Sequence, residues 1–203
     1  MSTTCCKESC LWAEQSGPGF NMGNSATRRR AATARQQQIY AKAAALDTHQ
    51  MENPRFVADV MLGRLAKWLR IAGFDALYSN RFTDDELIAI SNLEGRVLLS
   101  RDTRLLIRKP VREFIFLGSQ DLQGQIRQVF RTLHISCLKS PLTRCLSCNE
   151  ALVETPRDSV RGRVPPFIYR TQSYFKSCPA CGKIFWAGTH RSAVIQTLEK
   201  LLA

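Results

Sequence analysis

The sequence predicts a mixed α/β protein: a mostly parallel sheet flanked by helices over residues 53–136, then a small zinc ribbon with a C-terminal helix over 137–203. Two observations predict it. Apolar runs of strand length alternate with segments of helical period between Arg55 and Leu133. That alternation implies strand–helix–strand crossovers, which join parallel strands and place helices on both faces of the sheet. Two C-x-x-C pairs nearer the C-terminus then mark a segment of different chemistry.

Residues 1–52 read as a disordered or partly helical extension. Gln15 to Gly19 and Asn21 to Thr27 carry no period and little to bury, and the Ala- and Gln-rich tract from Ala31 to Leu46 has almost no apolar stripe. Cys5, Cys6 and Cys10 have no paired knuckle, so they read as incidental thiols. Met51, just before the first convincing strand, is a candidate true start.

From Arg55 the pattern sharpens. Phe56-Val57-Ala58 is a short strand ending on Asp59. Met61, Leu62, Leu65, Trp68, Leu69 and Ala72 recur at helical spacing with Arg64, Lys67 and Arg70 on other faces, and Gly73 stops the helix. Phe74 to Tyr78 reads as the second strand. Thr83-Asp84-Asp85-Glu86 is a capping box opening a helix that Gly95 ends. Val97 to Ser100 and Phe114 to Leu117 are two more strands, and Leu122, Ile126, Val129, Phe130 and Leu133 mark a closing helix. Beyond it, Leu152-Val153, Phe167-Ile168-Tyr169 and Tyr174-Phe175 supply short strands to the ribbon, with Phe185 and Trp186 as packing residues and Cys137 as a buried thiol.

Composition narrows the function. The 203 residues are 44% hydrophobic and 23% charged, ordinary for a folded chain, with a formal net charge of +12. The excess divides as +2, +4 and +6 over 1–52, 53–136 and 137–203, which points to a polyanionic partner. No run approaches the ~20 apolar residues that span a bilayer, and no secretory apolar core is present, so the expected compartment is the cytoplasm.

Three carboxylates fall in related places: Asp59 after the first strand, Asp84 at a helix start, and Asp102 after a central strand. The carboxyl ends of strands in an open α/β sheet form a ligand crevice. Acidic groups gathered there repel one another unless a cation joins them, and hard oxygen ligands suit Mg²⁺ or Mn²⁺. Such a site cuts phosphodiesters. Each acid also has a purely structural reading: Asp59 as a cap, Asp84 and Asp85 at a helix N-terminus, Asp102 in a turn.

Cys145-Leu146-Ser147-Cys148 and Cys178-Pro179-Ala180-Cys181-Gly182 each offer two thiolates to one tetrahedral Zn²⁺. Redox dithiols or disulfides are the competing reading. Four protein ligands close the coordination sphere, so the zinc is expected to be structural.

Taken together, Phe56-Val57-Ala58-Asp59-Val60-Met61-Leu62-Gly63-Arg64-Leu65-Ala66-Lys67-Trp68-Leu69-Arg70, Gly73-Phe74-Asp75, Thr83 to Leu87, Gly95 to Asp102, the two Cys pairs and Trp186-Ala187-Gly188-Thr189-His190 resemble the PIN-like RNase domain with a C-terminal zinc ribbon, the Mut-seven C-terminal RNase family. The resemblance covers about residues 54–195. It implies a PIN-like fold and divalent-metal-dependent ribonuclease activity. By motif position the acidic site falls on Asp59, Asp84 and Asp102, with Asp85 as a substitute for Asp84 and Asp121 as a candidate fourth acid. The family often has Thr-Arg-Asp where this chain has Ser100-Arg101-Asp102.

The expectation is therefore a Mg²⁺- or Mn²⁺-dependent ribonuclease acting on RNA. Asp59, Asp84 and Asp102 would hold the metal, Arg64, Lys67, Arg101 and Arg104 would contact phosphates, and a ribbon at Cys145, Cys148, Cys178 and Cys181 would help to bind RNA. The alternative is a non-catalytic RNA- or protein-binding module on a degenerate nuclease scaffold.

Overall fold

The computed structural model describes residues 53–107, 111–138, 140–188 and 190–202. The extension expected at 1–52, its three thiols, the start expected at Met51, and Thr189 lie outside them.

Four strands, β1 (Phe56–Ala58), β2 (Ala76–Tyr78), β3 (Val97–Ser100) and β4 (Phe114–Phe116), form one sheet in the order β2-β1-β3-β4. Every pair in it is parallel, as the alternation of strands and helices requires. The connecting helices are α1 (Gly63–Ile71), α2 (Asp84–Glu94), a short α3 (Thr103–Ile107) that the sequence pattern did not mark, and α4 (Leu122–Thr132).

Side chains along the strands point alternately to two cores. Phe56, Ala58, Val97, Leu99 and Ile115 pack with Leu65, Leu69 and Phe130, whereas Val57, Leu98 and Phe114 pack with Leu87, Ile88 and Leu105. The sheet is thus covered on both faces, which is why its strands read as continuous apolar runs.

Local signals hold where chemistry specifies them. The Thr83 hydroxyl accepts from Glu86 N while Glu86 Oε2 accepts from Thr83 N at 2.7 Å, closing the capping box, and Gly95 ends α2 at φ 60°. Gly73 sits at φ +99°, and a Cβ there would lie 2.1 Å from the Ser140 carbonyl oxygen. Only glycine lets the segment leading into the ribbon pass that close.

The ribbon is a second, antiparallel sheet of β5 (Val153–Thr155), β6 (Phe175–Ser177) and β7 (Ile184–Trp186). Its small core is Val160, Val164 and Phe175. Phe167-Ile168-Tyr169, expected as a strand, instead lies in a short helix, α5 (Pro166–Thr171). Pro166 at its first position has its φ preset for helix and no N–H to leave unpaired. The final helix, α6 (His190–Leu202), returns to the parallel sheet's core: Leu198 and Leu201 are buried in the same cluster as Leu65 and Phe130.

Candidate functional site

In the order β2-β1-β3-β4 the chain leaves β1 toward one side and returns to pair β3 on the other. The switch point therefore lies between the carboxyl ends of β1 and β3, where an open α/β sheet leaves a crevice. Asp59 stands one residue past β1 and Asp102 two past β3.

Ser100 ties them together. Its hydroxyl donates to Asp59 Oδ2 at 2.6 Å and accepts from Asp102 N at 2.9 Å. Asp59 is buried, its Oδ1 accepts from Val60 N at 2.6 Å, and its own N–H donates to the Leu99 carbonyl at 3.0 Å. Asp102 is exposed, and its Oδ1 accepts from Arg104 N at 2.7 Å, which starts α3. Asp59 is the cap that its structural reading expects, Asp102 bonds the backbone of the turn into α3, and both still stand at the crevice.

Asp84 and Asp85 lie exposed in the first turn of α2, after β2, on the next strand out from β1. The carboxylates of Asp59, Asp84 and Asp102 do not all come within 4.8 Å of one another, the spacing met among the described residues by a cysteine cluster. Asp121 serves as the N-cap of α4: Gly124 N donates to it at 2.8 Å and Ser119 Oγ at 2.6 Å. Those two bonds, the Ser119 one foremost, hold its carboxyl below the usual range. Arg64 and Lys67 are exposed on α1, Arg104 is exposed on α3, and Arg101 is partly exposed between Ser100 and Asp102.

The cysteine cluster is the more closed centre. Sγ–Sγ distances are 3.7 Å for Cys145–Cys181, 3.4 Å for Cys145–Cys148 and 3.2 Å for Cys148–Cys178, and all four lie within 4.8 Å of one another. Tetrahedral zinc with Zn–S bonds of ~2.3 Å needs S···S separations of about 3.8 Å, so these thiols could hold a metal such as zinc.

The two knuckles share one backbone design. Cys145 N donates to the Glu150 carbonyl and Asn149 N to the Cys145 carbonyl; Cys178 N donates to the Lys183 carbonyl and Gly182 N to the Cys178 carbonyl. Each turn passes through the left-handed region one residue after its second cysteine, at Asn149 (φ 69°) and Gly182 (φ 68°). Gly182 is legible as a turn residue. Asn149 is its counterpart, and the sequence reading missed it although asparagine tolerates this region better than most residues.

Asn149 also fastens the first knuckle to the sheet. Its Oδ1 accepts from Ala76 N at 3.0 Å and its Nδ2 donates to Asp75 Oδ1 at 2.7 Å. Arg70 works beside it: Nε donates to the Ala76 carbonyl at 2.9 Å, and one terminal nitrogen donates to the Leu146 and Ser147 carbonyls at 2.9 and 3.1 Å. These bonds satisfy the Ala76 backbone on the outer edge of β2, which among the described residues has no strand beyond it. Arg70, expected off the apolar stripe of its helix, is only 3% exposed, and its guanidinium bonds to the Leu146 and Ser147 carbonyls of the knuckle. Burial lowers its pKa, against the pull of Cys145 and Cys148.

Asp75 completes the junction with Arg96, which donates to both carboxylate oxygens at 2.5 and 3.2 Å. Burial opposes the charged form of Asp75, but the hydrogen bonds from Arg96 and Asn149 outweigh it and hold the carboxyl below its usual value. Cys137, expected buried, is partly exposed.

The family model of the Mut7-C RNAse domain matches residues 54–198. The chain belongs to that family. The match runs from the residues just before β1 through both knuckles and into α6, so sheet, ribbon and returning helix fall inside one family domain. No curated protein and no solved structure matches the chain. Among the described residues, no helix is long and apolar enough to cross a membrane.

Proposed function

We propose that this Mut7-C domain is a divalent-metal-dependent ribonuclease that hydrolyses phosphodiester bonds at the crevice between β1 and β3. One observation carries the reading: Asp59 and Asp102 meet through the Ser100 hydroxyl at the switch point of a parallel sheet. Membership of an RNase family supports it.

Carboxylate oxygens fit a hard cation, and Mg²⁺ or Mn²⁺ bound there would supply an activated water and charge stabilisation at phosphorus. Asp59 and Asp102 would hold it, joined by Asp84, or by Asp85 in its place, from the start of α2. Ser100 fixes the Asp59 carboxylate and the backbone at Asp102, so both acids are oriented before substrate arrives. Arg64 and Lys67 on α1 and Arg101 and Arg104 beside Asp102 would contact the RNA phosphates, which the acidic centre alone would repel. In the ribbon, Cys145, Cys148, Cys178 and Cys181 would hold a structural zinc, and the ribbon would add contacts to RNA.

The test compares cleavage of labelled single-stranded RNA by the wild type, Asp59→Asn and Asp102→Asn, with and without Mg²⁺ or Mn²⁺. Each substitution is expected to lower cleavage at least ~100-fold, as removal of a metal-holding or charge-stabilising group does. Cleavage that survives both substitutions overturns the proposal. RNA binding without any metal-dependent cleavage assigns the chain to the non-catalytic alternative.

A further inference from the structure

A cleft of about 260 Å³ opens between the ribbon sheet, the start of α6 and the end of α1. Its floor is apolar: Leu142, Leu146, Leu152, Phe185 and Trp186. Its rim carries three cations, Arg144, Lys176 and Arg191, and no acidic side chain lines it. Trp186 and Tyr174 are 37% and 48% exposed, and the Lys176 ammonium lies 5.8 Å from the Tyr174 ring centroid.

The ribbon's architecture builds this cleft. Lys176 pairs with Phe185 in the β6–β7 register, so a cation and an aromatic ring stand side by side on the face opposite the buried Phe175; Trp186, the partner of Phe175 in that register, is the last residue of β7 and lines the cleft from there. Leu146 sits inside the first knuckle, between two of the thiols. Glu154, across from Lys176 on β5, accepts from the Tyr174 hydroxyl at 2.6 Å outside the lining.

Exposed aromatic surface inside a cationic rim complements a flat base joined to a phosphate. The volume lies just below the ~300–1,000 Å³ of pockets for drug-sized ligands, so it suits one nucleotide. We propose that this cleft seats one nucleotide of a single-stranded RNA, its base against Phe185 and Trp186 and its phosphate toward Arg191 and Lys176. An acidic or apolar peptide fits less well: the floor is lined for a flat ring, and the cations are spread around the rim. The inference rests on the reading of the chain as an RNase, and it gives that reading an RNA contact on the ribbon.

The test measures binding of a fluorescein-labelled eight-nucleotide single-stranded RNA by anisotropy, without Mg²⁺ or Mn²⁺, in the zinc-loaded full chain. Wild type is compared with Trp186→Ala and Arg191→Ala, and circular dichroism and zinc content verify the fold of each. Loss of one base stack is expected to weaken Trp186→Ala binding by about 5- to 150-fold. Arg191→Ala is expected to reduce the salt slope by about one. Replacing single nucleotides with abasic ones is expected to weaken wild-type binding at one or more positions and leave Trp186→Ala unaffected. Unchanged affinity in folded Trp186→Ala, or equal binding of abasic and intact RNA, overturns the pocket. Cleavage with Mn²⁺ is read in parallel. A wild type that binds through Trp186 but never cleaves loses the ribonuclease reading and keeps the pocket; one that cleaves equally well with Trp186→Ala and binds as tightly loses only the pocket.

Discussion

Asn149→Ala is expected to be among the most destabilising single changes at the junction of ribbon and sheet. The substitution removes the acceptor for Ala76 N, a fully buried residue on the edge strand, and orphaning that donor costs about 1–3 kcal/mol. It also removes a charge-assisted bond to Asp75, about 1.5–3 kcal/mol, at the low end because Arg96 still holds the carboxylate. Alanine at φ 69° adds about 1 kcal/mol of left-handed strain that asparagine largely escapes. The losses overlap, so the expected total is about 3–5 kcal/mol, a fall in Tm of about 6–20 °C for a domain of this size. Asn149→Gly separates the causes: it loses both side-chain bonds but not the turn, and should recover about 1 kcal/mol relative to alanine. The assay is urea and thermal unfolding of the zinc-loaded chain, with zinc release to a chromogenic chelator followed in parallel. An alanine variant within about 0.5 kcal/mol of wild type, or one as stable as the glycine variant, refutes the reasoning.

Three further outcomes are expected. Ser100→Ala should lower metal-dependent RNA cleavage at least ~10-fold with little change in the apparent affinity for RNA, and Ser100→Thr, which keeps the hydroxyl, should restore most of it; equal cleavage by the alanine variant would show that Ser100 does not position the acids. Asp75 has a depressed folded-state pKa, so its contribution is present above the ordinary carboxylate value and is lost as pH falls through the folded one; the stability gap between wild type and Asp75→Asn should narrow between about pH 5 and pH 2, and a gap independent of pH would contradict the assignment. Stripping the ribbon metal, verified by atomic absorption, should cost several kcal/mol and lower the melting point of the whole domain, because Arg70 and Asn149 couple the knuckle to β2; an unchanged melting curve would sever that coupling.

Much of the parallel-sheet region was legible because its information is local. Strand β3 and the capping box of α2 follow from apolar runs and turn chemistry that act within a few residues. The same holds for the knuckles, since a C-x-x-C pair must turn tightly to offer both thiolates to one ion. Asp59 and Asp102 could be placed at strand ends from sequence. Their partnership through Ser100 could not, because it depends on β1 and β3 being neighbours, 41 residues apart in the chain. Phe167 to Tyr169 misled as a strand because apolar content alone does not distinguish a short strand from a short helix, and Pro166 decided the matter.

What the sequence determined by itself is the α/β class and the four-sulfur cluster, since periodicity, capping and ligand spacing all act over short distances. The tertiary structure alone decided how the two halves meet. It buried Arg70, gave Asn149 and Asp75 a shared task, satisfied Ala76 on the outer edge of β2 with a cysteine knuckle, and brought α6 back onto the first core. The physical reason is that an unpaired backbone group on a sheet edge can be satisfied by any donor or acceptor that folding carries to it, and only the folded chain specifies which one arrives.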